Sequence, residues 1–300
     1  MVQLLKILLF VILIVAIQAN AQIPAEVGQY PAGCNSFSTC PGHERYCNCS
    51  TDPIPGCRIE QSGSYYIDAS QYPENYLKGV YICKPGITVQ NSTFIAHPNW
   101  DYGILVAEED NITIRNSAMD SFITSEFGLN GFTYTNNTSY ATCAGHILVG
   151  GQYNSSNGLI EKNTFVNKRS GHQCGSYPHK ESIILFSGSS DIQIRNNTFL
   201  YGGRTDVTKH TVAFKNYNNG NVSAVEISNN RFLCGATTSF SNQRDRVLTS
   251  QMSNNVFNDP QFPSACNGKI LGGTGVFGIN NSTISNNTIA SGTSQGYFDV

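Results

Sequence analysis

The sequence predicts an all-β chain: a right-handed parallel β-helix (solenoid) of about seven coils, preceded by a small disulfide-rich N-terminal module. Three observations carry this expectation. A short Asn-centred motif recurs along the chain, an apolar run precedes most copies of it, and all ten cysteines lie beyond a leader-like segment.

The motif comes first, because self-similarity at a spacing of tens of residues marks repeat architectures. It reads "VQNSTF" from Val89, "IRNSAM" from Ile114, "IEKNTF" from Ile160, "IRNNTF" from Ile194, "ISNNRF" from Ile227, "MSNNVF" from Met252 and "ISNNTI" from Ile284. The copies lie 25, 46, 34, 33, 25 and 32 residues apart. A Phe, Met or Ile always stands five positions after the first apolar residue. Short apolar runs at Ile104, Ile147, Ile184, Val212, Val247 and Ile270 supply another strand per period. Each coil therefore holds three strands. The second and third are separated by Asn91, Asn116, Asn196, Asn229, Asn254 or Asn286, with Lys162 as the exception. Asn tolerates the left-handed backbone of a sharp bend, and stacked amides can bond from coil to coil. Asn91, Asn196 and Asn286 are accordingly expected to be buried in a ladder.

Alternation assigns the faces. On the second strand Ile112 and Ile114 point inward. The outward column is then Gln90, Arg115, Glu161, Arg195, Ser228, Ser253 and Ser285, with Arg115, Glu161 and Arg195 alternating in sign. That sheet reads as polar and solvated outside. The first strand is apolar on both faces (Leu105, Leu148, Leu185, Ala213, Leu248 and Leu271 beside the Ile and Val column), the pattern of a sheet covered on both sides.

Lys6, the apolar run Ile7–Ile17 and Ala19-Asn20-Ala21 have the order of a secretory signal peptide cut after Ala21. The run is too short to span a bilayer, which takes about 20 residues. The division expected is 1–21 signal peptide, 22–83 Cys-rich module and 84–300 β-helix. An even cysteine count in a secreted chain favours disulfides. Cys34 to Cys83 would staple the module. Cys143–Cys174 and Cys234–Cys266 would join consecutive loops, with pairing within the N-terminal module as the alternative. Eleven residues satisfy Asn-X-Ser/Thr: Asn48, Asn91, Asn111, Asn136, Asn137, Asn154, Asn196, Asn221, Asn280, Asn281 and Asn286. Glycans are expected at Asn111, Asn137, Asn154, Asn221 and Asn281. A net charge of −2 with 13% charged residues leaves no basic footprint for nucleic acid or an anionic membrane.

Long segments at about 120–145, 166–182, 200–210, 233–246 and 258–269 follow the third strand of successive coils and should rise on one side, where repeat proteins carry function. They contain candidate acid–base and cationic groups: His179, Lys180 and Glu181, then Arg204, Asp206, Lys209 and His210. A β-elimination or epimerisation site needs such a base with a cation to stabilise the developing charge. His179 or Lys209 would be the base, and Arg204 or Arg246 the neutraliser. Trp100, Tyr102, His146 and Arg246 are candidate sugar contacts. Glu108-Glu109-Asp110 offers oxygens of the kind Ca²⁺ takes, but three adjacent acids cannot all turn toward one ion. A solvated turn is expected there, with no metal and no cofactor.

The repeat resembles the pectin-lyase-like right-handed parallel β-helix superfamily, including its right-handed β-helix region members, over roughly residues 80–290. The resemblance implies the fold, which hosts lyases, hydrolases, epimerases, adhesins and inert stalks. The catalytic signatures of those relatives are missing. There is no Asn-Thr-Asp, Asp-Asp and Gly-His-Gly set, with only "GHE", "GHI" and "GHQ" at Gly42, Gly145 and Gly171. There is no Arg-x-Pro-x-x-Arg, and "YPH" at Tyr177 lacks the preceding Asp. The function expected is binding of an extracellular glycan or cell-surface partner through the loop side. The alternative is a lyase or epimerase acting on uronic-acid polymers. The open apolar end after Ile289 would self-associate or be covered by "GYFDV".

Overall fold

The computed structural model describes residues 21–22, 58–68, 80–96, 105–107, 109–120, 122–123, 128–140, 147–150, 154–166, 182–200, 210–215, 221–233, 237–240, 247–257, 275–276, 279–280 and 282–289. Among these there is no helix, and every strand pairing is parallel. The chain visits three sheets in rotation. One such passage is Leu105–Ala107 in the first sheet, Ile112–Arg115 in the second and Ala118–Met119 in the third. Strands from successive passages stack side by side, giving sheets of nine, eleven and ten strands among the described residues. This all-β, parallel, three-sheet stack is compatible with a parallel β-helix.

The expected alternation is present in the second sheet. Val89, Ile114, Ile160, Ile194 and Ile227 are all 0% exposed, and they form one inward column in register. The third sheet supplies the facing column of Phe94, Met119, Phe165, Phe199 and Phe232. Because the rungs are in register, rings stack directly: Phe165–Phe199 centroids lie 4.7 Å apart and Phe199–Phe232 4.8 Å apart, the spacing of neighbouring strands. The first sheet is buried on both faces, as its composition predicts, since Val80–Ile82, Leu105–Ala107 and Ile147–Val149 bury every residue.

Several expectations are corrected. The interval of 46 residues between Ile114 and Ile160 hides another passage, made of Phe122–Ile123, Asn130–Thr135 and Thr138–Tyr140. A single long loop over 120–145 is therefore wrong. Here Tyr134 stands in the Ile column and Ser139 in the Phe column, so volume is exchanged between facing positions. Burial pushes the Tyr134 phenol far above its usual range. Thr135 consequently separates Arg115 from Glu161, and the three-charge alternation does not exist. Arg115 donates instead to Gln90 Oε1 (3.0 and 2.6 Å), while Arg195 Nε meets Glu161 Oε2 at 3.2 Å.

Register also shifts in the first sheet. Leu105, Ile147, Ile183 and Val212 are in line, not Ile104 or Ile184 with these residues. Val247–Leu248 belongs to the second sheet, beside Val222–Ser223. The sheets begin before residue 84: Arg58–Ile59, Ser64–Asp68 and Val80–Ile82 lie in the segment expected as a separate module, yet pair with later strands. Cys83 is buried and disulfide-bonded. The expected pairs Cys143–Cys174 and Cys234–Cys266 lie outside the described residues.

The ladder is displaced by one residue. Asn91, Asn116, Asn136, Lys162, Asn196, Asn229, Asn254 and Asn286 have φ between 50° and 56°, as a left-handed corner requires, and their side chains are exposed. The residue after each corner points inward. A continuous rail results, in which each main-chain N–H donates to the side-chain oxygen one rung on. It runs from Tyr65 N–H to Ser92, then through Ser117, Asn137, Asn163, Asn197, Asn230 and Asn255 to Asn287, at 2.8–3.0 Å. Each Asn Nδ2 donates backward to a carbonyl, Asn197 to that of Ile160 for instance (2.9 Å). Asn137 is thus 2% exposed, with its Nδ2 committed to Ile114 O. That geometry leaves no room for the glycan expected on it.

Candidate functional site

Among the described residues, the middle rungs build an open concavity. Three adjacent second-sheet segments, Ser156–Glu161, Ser190–Arg195 and Val222–Ser228, lie in register with Leu159 opposite Gln193 and Gln193 opposite Glu226. Alternation sends Gly158, Ile192 and Ile194 inward and Leu159, Asp191, Gln193 and Glu226 outward. In the third segment the strand breaks between Val222–Ser223 and Glu226–Ser228. Ala224 sits at the break with φ 51°, in line with the left-handed Asn157 and Asp191 (both φ 55°). Ala224 has only a methyl group where its neighbours carry longer polar side chains. The missing volume leaves an open depression of about 460 Å³, lined by Asn157, Leu159, Asp191, Gln193, Ala224 and Glu226.

The lining is polar and pre-positioned. Asn157 Nδ2 donates to Asn130 Oδ1 (2.6 Å), which fixes its amide. Glu226 Oε1 accepts from Ser228 Oγ (2.6 Å), and Asp191 and Gln193 are exposed. Leu159 adds an apolar contact beside them. Neighbouring strands lie about 4.8 Å apart and alternate residues about 6.6 Å along each strand, so the floor of the depression is a regular grid of acceptors and amides. Such a grid can hold a hydroxyl-rich ligand by several simultaneous hydrogen bonds. Among the described residues no group of three or more His, Cys, Asp or Glu converges as a metal site. Asp110 of the acidic triplet turns toward the next rung, accepting from Asn130 N–H (2.7 Å).

Of the catalytic candidates, only the backbone of His210 is described. It opens the first-sheet strand His210–Lys215 and pairs with Thr237 across a register irregularity. His179, Lys180, Glu181, Arg204, Asp206 and Lys209 lie outside the described residues, as do Trp100, Tyr102, His146, Arg246 and Asn281. Asn111, Asn154 and Asn221 are exposed beside the corner between the first and second sheets. Sequence reasoning misses Asn157, Asp191, Gln193 and Glu226. The alternation that marks Arg195 as outward also marks Gln193 and Asp191, two and four residues earlier, so a signal for these two exists.

No family model, curated protein or solved structure matches this chain.

Proposed function

We propose that this chain is a secreted right-handed parallel β-helix protein of the pectin-lyase-like type that binds extracellular carbohydrate without cleaving it. The observation that carries the reading is the depression on the outer face of the second sheet, where the held Asn157 amide, the Gln193 amide, two carboxylates and one Leu side chain form an open hydrogen-bonding floor. Open polar grooves on regular elements are a common way for repeat proteins to present binding surfaces. The leader segment and the exposed sequons Asn111, Asn154 and Asn221 support secretion with glycosylation along the corner between the first and second sheets. Cleavage after Ala21 would leave Gln22 as the first residue of the third sheet, paired with Tyr65.

The test is affinity electrophoresis of the secreted chain through gels carrying soluble plant, fungal and algal glycans. At least one glycan retards the chain, and Gln193→Ala reduces the retardation. Unchanged mobility in every gel refutes carbohydrate binding. The same incubations, checked for new reducing ends and for unsaturated products absorbing in the ultraviolet, should show neither; their appearance would establish the lyase or hydrolase alternative.

A further inference from the structure

The charge of the depression bears on which saccharides it accepts. Asp191 and Glu226 bring two carboxylates to its lining. The three strand segments that build it contain a single cation, Arg195, and that guanidinium is held by Glu161 at 3.2 Å. Lys162, just beyond the strand, also faces Glu161, at 4.0 Å. On these strands the cation is therefore matched by a carboxylate outside the lining, and among the described residues the lining itself carries only acidic charge.

From this we infer that the depression selects neutral, hydroxyl-rich saccharides and discriminates against uronic-acid polymers. The inference rests on the carbohydrate-binding reading above and specifies the ligand class of that same site. A neutral sugar offers O–H donors, and a carboxylate accepts them in charge-assisted bonds stronger than neutral ones. The Gln193 amide accepts or donates as the ring orientation demands. A uronate brings its own anionic acceptor to a surface already rich in acceptors. It would find repulsion from Asp191 and Glu226 and no free guanidinium in the lining to chelate it. Two like charges about 5 Å from a third in a well-hydrated site disfavour binding on the order of tenfold at low ionic strength. Salt screens charges separated by about 10 Å at 0.1 M, so the discrimination must shrink as salt rises.

The discriminating variant is the pair Asp191→Asn and Glu226→Gln. Asn tolerates the left-handed backbone at position 191, and the amide oxygen introduced by Glu226→Gln still accepts from Ser228 Oγ, so both changes remove charge while keeping shape. The full chain is titrated with hydroxyethyl cellulose, galactomannan and arabinan as neutral probes, and with polygalacturonate and alginate as anionic ones, at low and high salt. The expected result is binding of a neutral polymer, with anionic polymers weaker on the order of tenfold at low salt. That gap narrows at high salt and in the double variant. An anionic polymer that binds as tightly as the best neutral one overturns the selectivity, as does a gap indifferent to salt; the carbohydrate-binding reading then survives. Binding of none of the five polymers, together with unchanged mobility in every glycan gel, defeats both.

Discussion

Replacing Asn197 by Ala cuts the rail in its middle, and the consequence can be worked from its contacts. Asn197 Oδ1 accepts from Asn163 N–H (2.9 Å) and Asn163 Nδ2 (3.0 Å), while its Nδ2 donates to Ile160 O (2.9 Å) and Asn230 Oδ1 (3.0 Å). Two of these partners keep another bond: Asn163 Nδ2 still reaches Tyr134 O, and Asn230 Oδ1 still accepts from Asn197 N–H. The Ile160 carbonyl keeps the ladder bond that the Glu161–Arg195 register gives it, but the Asn163 N–H loses its acceptor in an interior where Asn163 is 1% exposed. An orphaned buried polar group costs about 1–3 kcal/mol, so the variant should lose about that much. Its neighbour Asn196 is exposed at the left-handed corner. Asn196→Ala should lose only about 1 kcal/mol of backbone strain, and Asn196→Gly almost nothing. Stacked repeats need not unfold in one step, so the assay compares urea midpoints by circular dichroism with amide exchange at Asn163. Asn196→Ala proving as damaging as Asn197→Ala, or Asn163 remaining fully protected in Asn197→Ala, would refute the reasoning.

Three further outcomes follow from the core and the outer face. Gly158→Ala would set a Cβ within contact distance of the Phe132 ring and 2.8 Å from Ile192 Cδ1, so it should destabilise by about 1–3 kcal/mol, with Phe132→Leu restoring part of the loss in a double-variant melt. Tyr134 has its pKa raised chiefly by burial, with the Ser139 hydroxyl opposing and the Asp120 charge adding. The folded value lies above the unfolded one, so this contribution to stability is complete below about pH 10 and is lost as pH rises further. Tyr134→Phe should flatten that alkaline decline in melts taken across the range; an unchanged decline assigns it to other groups. Glu161→Gln should lower stability by less than about 1 kcal/mol, because Arg195 is partly exposed at 38% and such pairs are weak. A larger loss in denaturant melts would mean that the pair organises the sheet.

The repeat is legible because its signal is periodic and chemically narrow. Where a passage departs from that chemistry the signal vanishes: "YTNNTS" around Tyr134 puts an aromatic where Ile is the rule and Ser where Phe is the rule. Only the paired volumes show that it is the same unit. The Asn pairs are visible, but composition cannot decide which member turns inward. That depends on which residue takes the left-handed φ, and one residue of slip reverses the face. The depression is harder still to foresee. It arises from the small side chain of Ala224 meeting Asn157 and Asp191 from rungs 33 and 34 residues apart in the chain. No local pattern encodes such an absence.

The rail has one more consequence. Its successive joints are separated by 25, 20, 26, 34, 33, 25 and 32 residues, yet each closes with the same donor and an oxygen at nearly the same distance. The joint behaves as a standard coupling, indifferent to how much chain is spooled between one and the next. Whole passages can then be spliced in or out between two rail residues without re-engineering their neighbours, and a lineage built this way can lengthen its outer face one rung at a time.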